Sequence, residues 1–444
     1  MLRRFLIVSL VLGTLLPGSP APAAGTSSRI AVRVATGAPQ VGAPLVLSGT
    51  VRPKGVRRVA LQRKTAGRWT TVARGRSDRR GRYRLRLRPV TAERHVLRVR
   101  AAASSKGRST TSKVVRVPVA DQPCRPGPGP VDPAADAATA ALLAGLDEWR
   151  CAGRMAVGQQ VNISNDEWAQ VLDVAPARFR VVGFDLTELA DALALGKTER
   201  IDRLIELARA GHVLTASWHA RNPWTGGDAF DRTGAELGDL LTPGNAAYDA
   251  FWATWQQHLA TLAQLAAAGV PVVVRPLHEA SGGWFWWGHP DPAEYRALFA
   301  RLQSTAEAAG VHNLLWAYAA APQVWSGIQD PLALVPARVD LGGTDSYDDT
   351  ADGGPARVDL TSYPEVGARV RRTALTEVGP QHSNGAWDPA VVTETLRRTG
   401  TNALWAMFWF DDGQGLKAVR SLQGGAAWLG SCPDGFCPVP GGVG

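Results

Sequence analysis

Two periodicities divide the chain. From residue 29 to about residue 100, apolar and mostly basic positions alternate with a period of two, as in Ile30-Ala31-Val32-Arg33-Val34, Val59-Ala60-Leu61-Gln62-Arg63, Tyr83-Arg84-Leu85-Arg86-Leu87-Arg88 and Val96-Leu97-Arg98-Val99-Arg100. Successive strand side chains point to opposite faces, so this pattern predicts half-buried strands, with Arg80-Gly81 and Lys106-Gly107 as turns between them. Short strands at this spacing predict a small antiparallel β-sandwich over residues 26–119. Further on, continuous apolar runs alternate with amphipathic ones. Strands are predicted at Met155–Gln159, Arg180–Leu186, Val213–His219, Val270–Leu277, Leu314–Ala319, Val339–Tyr347, Ala374–Val378 and Ala403–Phe410. Helices are predicted at Thr198–Ala210, Ala246–Ala268, Pro292–Ala309 and Pro389–Arg398, while the stretch Pro322–Pro336 lacks a clear helix. Eight such β-runs with helices between them predict an α/β domain, a (β/α)8 barrel over residues 137–431, rather than an open sheet. Pro- and Gly-rich residues 120–136 read as an extended linker and residues 432–444 as a C-terminal tail.

The 444 residues suit two domains, one of them large. Arg3-Arg4, the apolar stretch Phe5–Leu16 and the small residues Ala21-Pro22-Ala23 read as a signal peptide over residues 1–24. The residues after Arg3-Arg4 are out of register with a twin-arginine signal, which points to Sec-type export. The expected mature protein is a secreted, extracellular monomer with no membrane contact after signal cleavage. Four cysteines, Cys124, Cys151, Cys432 and Cys437, then favour disulfides over a metal site, and three pairings are open. Cys432 and Cys437 are close enough for a local loop, which would leave Cys124 with Cys151.

Charge sharpens the division. Residues 26–120 hold 24 Lys and Arg against two acids, Asp78 and Glu93, and the rest of the chain beyond them is net negative. The basic character belongs to one module, so no nucleic-acid partner is expected for the whole protein. Its arginine-lined faces suit either a solvated spacer or adhesion to an anionic polymer, such as a cell-wall teichoic acid or an acidic plant polysaccharide. The module resembles the immunoglobulin-like modules appended to many bacterial secreted enzymes, without their inter-sheet cysteine pair.

Barrel enzymes carry their chemistry where strands end and βα loops begin. Here those positions hold Asp185, Trp218-His219 with Asn222 and Trp224, His278-Glu279 with Trp284 to Trp287, Asp345 and Tyr347, Glu377, and Trp409 with Asp411-Asp412. Carboxylates and indoles at one rim suit a sugar-cleaving cleft. Breaking a glycosidic bond takes one carboxyl group to protonate the leaving oxygen and another to attack the anomeric carbon or activate water. Glu279, among indoles, is set to hold its proton as acid/base; Glu377 needs hydrogen bonds to stay ionised as nucleophile, with Tyr347 a candidate donor. Of 16 tryptophans, Trp149, Trp168, Trp252, Trp255 and Trp405 read as core, while Trp218, Trp224, Trp284, Trp286, Trp287 and Trp409 are expected at the rim. Three or four of those six are expected to touch substrate; Trp316 and Trp325 fall in neither group. A zinc-protease reading of His278-Glu279 fails because Gly282 stands where the second His is required. No metal or cofactor is implied: neither a dinucleotide fingerprint nor a phosphate-binding loop is present.

The segment Val274-Arg275-Pro276-Leu277-His278-Glu279-Ala280-Ser281-Gly282-Gly283-Trp284-Phe285-Trp286-Trp287-Gly288 resembles the acid/base signature of glycoside hydrolase family 26, the β-mannanase family. Val182 to Asp185, Ser217-Trp218-His219 with Asn222-Pro223, Gly343 to Tyr347 and Leu375 to Gly379 follow in family order. The resemblance implies a retaining hydrolase of β-1,4-mannosidic bonds, with Glu279 as acid/base and Glu377 as nucleophile. It also implies that His219 binds sugar near the cleavage point, His278 supports the catalytic pair and Tyr347 holds the nucleophile. Trp284 and Trp409 would be aromatic walls and Asp345 a polar contact, with Trp218, Trp287 and Asn222 further substrate-binding candidates. Two regions depart from the family pattern: Phe410-Asp411-Asp412 follows Trp409 where Arg and a polar residue are usual, and Leu334-Val335-Pro336-Ala337 replaces Tyr-Pro-Gly-Asp. Both regions help define sugar subsites, which leaves β-1,3-xylan or mixed-linkage β-glucan as alternative substrates. A non-catalytic carbohydrate-binding barrel is the alternative of a different class.

Overall fold

The computed structural model describes residues 27–441 apart from residues 38, 42, 66, 90–91, 106, 121–123, 174–178, 323–326 and 349–354. The expected signal peptide and Trp325 lie outside the described residues. The chain divides into two compact units, Met1–Gln122 and Pro123–Gly444.

The first unit is all-β. Strands β1 (Arg29–Val34), β2 (Leu45–Arg52) and β5 (Arg82–Leu87) form one antiparallel sheet. The other contains β3 (Arg58–Thr65), β4 (Arg68–Arg76), β6 (Arg94–Ala101), β7 (Thr110–Thr111) and β8 (Val115–Pro118). Leu47, Val51 and Leu85 of the first sheet share a core with Val59, Leu61, Leu97 and Val99 of the second. The arginines fall on the alternate, outward positions, as the period of two requires.

The second unit is a closed parallel barrel. Its strands are β9 (Arg154–Gln160), β10 (Val181–Asp185), β11 (Val213–Trp218), β12 (Val272–Pro276), β13 (Leu314–Ala320), β14 (Leu341–Asp348), β15 (Thr373–Pro380) and β16 (Trp405–Phe408). Each pairs with the next, and β16 pairs with β9 to close the ring. Helices α1 (Ala137–Cys151), α2 (Leu186–Ala194), α3 (Glu199–Arg209), α4 (Ala246–Ala267), α5 (Pro292–Ala308), α6 (Pro331–Leu334), α7 (Tyr363–Arg369), α8 (Ala390–Thr399) and α9 (Gly425–Gly430) lie along the chain before, between and after these strands. The eight predicted strands all form; among the described residues of the stretch without a clear helix, the single turn of α6 is the helix present. Strands covered on both faces read as unbroken apolar runs, and every residue of β12, Val-Val-Val-Arg-Pro, is buried. Helix starts are set by side chains that accept orphan backbone N–H groups. Asn245 accepts from Tyr248 before α4, and Asp291, followed by Pro292, accepts from Ala293 and Glu294 before α5.

Both disulfides of the expected pairing are present, Cys124–Cys151 and Cys432–Cys437. The first ties the Pro/Gly-rich segment to the end of α1. That segment is strapped to the barrel rather than free: Gly127 N donates to Asp147, Arg372 donates to Pro128 O and Asp147, and Val131 N donates to Asp340. The second bridge closes the turn before β17 (Phe436–Pro438), which pairs antiparallel with Arg154–Ala156 of β9. Three residues are too few for a periodic signal, so the sequence could not reveal this strand. No helix among the described residues is long and apolar enough to cross a membrane.

Candidate active site

Local backbone geometry aims the reactive side chains. β12 ends at Pro276, and the chain turns through Leu277 (φ 51°) and Glu279 (φ 54°), both left-handed. Such conformations cost on the order of 1–3 kcal/mol each and persist where surrounding bonds enforce them. Glu279 N donates to Ala319 O of β13 at 2.9 Å, and Gly282 N donates to Glu279 O at 2.7 Å. Gly282 has to be glycine: a Cβ there would lie 2.3 Å from the Trp284 ring. The indole can therefore fold back, and its Nε1 donates to Glu279 Oε2 at 2.6 Å. On the far side, the β14–β15 register slips between Thr344 and Asp345. A bulge re-aims the side chains beyond it, and past this one Asp345 and Glu377 stand opposite each other.

Three carboxyl groups converge. One oxygen each of Glu279, Asp345 and Glu377 lies within 4.8 Å of the others. Arg275, a lone charge in the apolar β12, sits among them, donating to Asp345 Oδ2 at 3.1 Å and to Glu377 Oε1 at 2.5 Å. Tyr347 OH donates to the second oxygen, Glu377 Oε2, at 2.6 Å. A single guanidinium cannot offset three carboxylates, so protons stay. Burial, then repulsion from Asp345 and Glu377, pushes Glu279 well above the usual carboxyl range. Burial also lifts Asp345 to about 7 against the pull of Arg275. Arg275 itself would be lowered by burial, but Asp345 and Glu377 raise it above its ordinary value.

A second ionic group faces this one. Asp185 N-caps α2 and also accepts from Ser217 Oγ, from His219 N and from His219 Nδ1, each at 2.9 Å. Burial opposes charge on His219, yet Asp185 outweighs it and raises the imidazole; reciprocally, burial would raise Asp185 and His219 lowers it. The His219 ring meets His278 edge-on at 4.6 Å. Burial, with help from His219 and Arg275, lowers His278 well below the usual histidine range, so it is neutral. Nearby Glu188 is lifted to about 8 by burial and then by Asp185.

The cleft over these groups has a volume of about 700 Å³, within the range of ligand sites. Of the sequence candidates, Glu279, Glu377, His219, His278, Trp284, Tyr347, Asp345 and Trp409 all line it. Asp345 does so from beneath: its side chain is 0 % exposed and engaged by Arg275, which makes it a support rather than an open sugar contact. Three candidates are corrected. Trp218 is buried against Trp255, Phe251 and His258, on the helix-facing side of its strand. Trp287 is buried behind the cleft, stacked on Phe285 at 4.5 Å with Nε1 donating to His278 O. Asn222 is buried in its loop, donating to the carbonyls of Asp231 and Thr233. Trp286 is likewise buried, and Trp224 lies outside the cleft lining. Of the six indoles expected at the rim, Trp284 and Trp409 line the cleft.

Further residues line the cleft; the sequence reading places Phe285 and Asp412 at the rim without a role and misses the rest. Phe285 and the exposed Phe230, 5.0 Å apart, extend the apolar wall. Gln381, Asp412, Gln414 and Lys417 form a polar cluster at the Trp409 side, and Glu188 joins Asp185. Arg275, which supports the carboxyl groups without lining the cleft, is also missed although it has a signal, a charge in an otherwise apolar strand; Phe230, Gln381, Gln414, Lys417 and Glu188 sit in loops or at a helix start, where no periodicity marks them.

Residues 131–423 match the model for Glycosyl hydrolase family 26. A mannan endo-1,4-beta-mannosidase of Bifidobacterium adolescentis is 30% identical over 278 residues, covering 56% of this chain and 26% of that protein. Another, from Thermothelomyces thermophilus, is 28% identical over 297 residues, covering 63% of this chain and 56% of the relative. The chain thus spans about half or less of the length of these curated relatives. The solved structure of a Bacillus subtilis mannanase superposes with a TM-score of 0.57 at 20% identity, covering 71% of this chain and 96% of that one, which shows the shared barrel fold.

Proposed function

The chain belongs to glycosyl hydrolase family 26, and from that membership we propose that it is a retaining hydrolase cleaving β-1,4-mannosidic bonds in mannan-type polysaccharides. The observation that carries the reading is the spacing of Glu279 and Glu377, with oxygens within 4.8 Å. Retaining enzymes hold their two carboxyl groups about 5–5.5 Å apart, whereas inverting ones leave about 6.5–9.5 Å for a water.

The steps follow from the charges. A sugar chain lies in the cleft with its C–H faces on Trp284, Phe285 and Trp409. Glu279, kept protonated by burial, gives its proton to the glycosidic oxygen as the bond to the anomeric carbon breaks. Glu377 attacks that carbon and forms a glycosyl ester. Arg275 and Tyr347 hold Glu377 in line and suit its charged form. Glu279, now a carboxylate, takes a proton from water, which attacks the same carbon and frees Glu377. Two inversions give net retention. His219, charged through Asp185, is placed to donate to sugar hydroxyls, and neutral His278 packs beside it.

The test is a polymer panel of linear mannan, glucomannan, β-1,3-xylan and mixed-linkage β-glucan, read as new reducing ends, with the first-formed anomer followed by NMR. The reading requires β-product first from a mannan and a loss of several orders of magnitude in Glu377→Gln. No reducing ends from either mannan would remove it, and α-product first would remove the double displacement. Binding without hydrolysis by the wild type would instead make it a non-catalytic binding barrel. The polar cluster around Lys417, in the region that departs from the family pattern, is the observation that keeps β-1,3-xylan and mixed-linkage β-glucan on the panel.

Secretion belongs to the same proposal. Two disulfides are supported by an oxidising compartment, and a polymeric substrate is met outside the cell. N-terminal sequencing of protein from a culture supernatant should find cleavage near Ala24; an intact Met1 in purely cell-associated protein would count against it.

A further inference from the structure

None of the residues in the chemistry above comes from the N-terminal unit, yet both of its sheets carry cations outward, and the smaller sheet presents them as an open array. Strands β1, β2 and β5 turn Arg29, Arg33, Arg52, Arg82, Arg84 and Arg86 outward, because Leu47, Val51, Tyr83 and Leu85 occupy the inward positions. The register sets them in rows: Arg29 stands opposite Arg52, and Arg33 and Arg84 flank Ser48. Alternate strand residues are about 7 Å apart and neighbouring strands about 4.8 Å, so the guanidinium groups form a grid of roughly 7 by 10 Å. Asp78 meets this face, bonded to Arg82 at 3.0 Å. Neighbours along a strand, about 7 Å apart, lie within the Debye length of about 8 Å at physiological salt, so the free face repels itself. Like charges directly opposite across a ladder, as at Arg29 and Arg52, add to that cost. Solubility alone is met better by mixed charges.

We propose that this face binds an acidic polysaccharide, a polyuronate bearing one carboxylate per sugar. The planar guanidinium fork matches a carboxylate bidentately. A stiff polymer meeting a rigid sheet loses little freedom on either side. Polysaccharide is also what the barrel is read as cleaving, and holding the acidic chains of a composite wall raises the effective concentration of the barrel near the neutral ones. The opposite sheet also turns arginines outward, Arg58, Arg74, Arg76, Arg94, Arg100 and Arg116, but differs at its centre. There Arg98 donates to Gln62 Oε1 at 2.9 Å and lies 4.1 Å over the Trp69 ring, so its charge is already engaged.

The experiment is affinity electrophoresis of the full-length protein through gels containing polygalacturonate, over a series of salt concentrations. Wild type should be retarded at low salt and released as salt rises. The variant R33Q/R84Q/R86Q should lose at least about tenfold in affinity, whereas R58Q/R74Q/R100Q, with equal charge removed from the other sheet, should keep it; R84Q alone should fall between. Unchanged thermal melts show that both units remain folded. The idea is overturned if wild type is not retarded, if both triple variants lose equally, or if a polyphosphate or DNA of similar charge density retards the protein as strongly at the same salt. The rate on soluble mannan is read separately, so failure of the hydrolase reading leaves this outcome standing.

Discussion

Trp284 donates its indole N–H to Glu279 at 2.6 Å, so the aromatic wall of the cleft is also a hydrogen-bond donor to the proposed acid. A donor to a carboxylate oxygen favours the ionised form, and this one lowers Glu279 against the larger upward push of burial. Trp284→Phe keeps an aromatic face and removes the donor. Glu279 should then titrate higher still. Because activity requires its protonated form, the basic limb of kcat/KM should move to higher pH in the variant, with a lower maximum from the poorer acid and the smaller ring. A pH–rate profile on soluble mannan checks this. An unmoved or lowered basic limb would show that the indole does not tune the acid.

Tyr347 offers a test of the partner carboxylate. Its hydroxyl is one of two donors to Glu377, and hydrogen bonds to charged groups are worth about 1.5–3 kcal/mol. Tyr347→Phe should reduce kcat by about 10- to 100-fold with KM changed only a few-fold, since the lost bond orients the attacking group rather than the polymer. Steady-state kinetics on a defined manno-oligosaccharide separates the two; a large rise in KM with kcat intact would make Tyr347 a sugar contact instead.

Glu188 carries a prediction about stability. Its folded-state pKa of about 8 lies above that of the unfolded chain, so between those values the folded protein holds a proton that the unfolded chain has released. Stability is therefore highest below the unfolded value and falls as pH rises toward 8. A shift of this size corresponds to roughly 3 kcal/mol near pH 7, spread over the coupled Asp185–His219 group. Glu188→Gln removes the titration and keeps an acceptor for Ile163 N. Its stability advantage over wild type should be near zero at about pH 4 and grow by neutral pH. Urea melts at both ends of that window decide it; a constant difference would mean that Glu188 does not titrate there.

How much of this was legible in advance depends on whether a residue obeys a period. The eight barrel strands were readable because each is buried on both faces, and Glu279, Glu377, His219 and Tyr347 because they fall where such runs end. Trp218 falls there too and Trp287 in the loop after β12, yet both point into the protein: at a strand end one residue faces the cleft and the next faces a helix, and in the loop tertiary packing decides. Trp218 precedes His219 by one position, and the two side chains take opposite directions. Arg275 shows the converse. A charge within a buried strand has to be paired, so its importance was implied by physics even though its partners, Asp345 and Glu377, are 70 and 102 residues away. Lys417 had no such signal, because it lies in a loop whose path is set by tertiary bonds: its own N and that of Ala418 donate to Asp411.

Lys417 is 3 % exposed, and its ammonium donates to Asp412 Oδ2 and Gln414 Oε1, both at 2.8 Å. Gln414 Oε1 also accepts from Gln381, so donor and acceptor groups stand side by side at the Trp409 side of the cleft. An ammonium has three protons and two are used, which leaves one for a hydroxyl oxygen of a sugar, while Asp412 can accept from the neighbouring hydroxyl. Such a contact would be made equally in the bound complex and the transition state. Lys417→Met should therefore raise KM for mannotetraose about 5- to 20-fold, the worth of roughly 1–2 kcal/mol in hydrogen bonding, and leave kcat within about twofold. Lys417→Arg, which keeps the charge and donors, should recover part of the loss. A fall in kcat at unchanged KM would place Lys417 with the reacting groups instead, and no change in either would mean that its ammonium serves only to order the Asp412 loop.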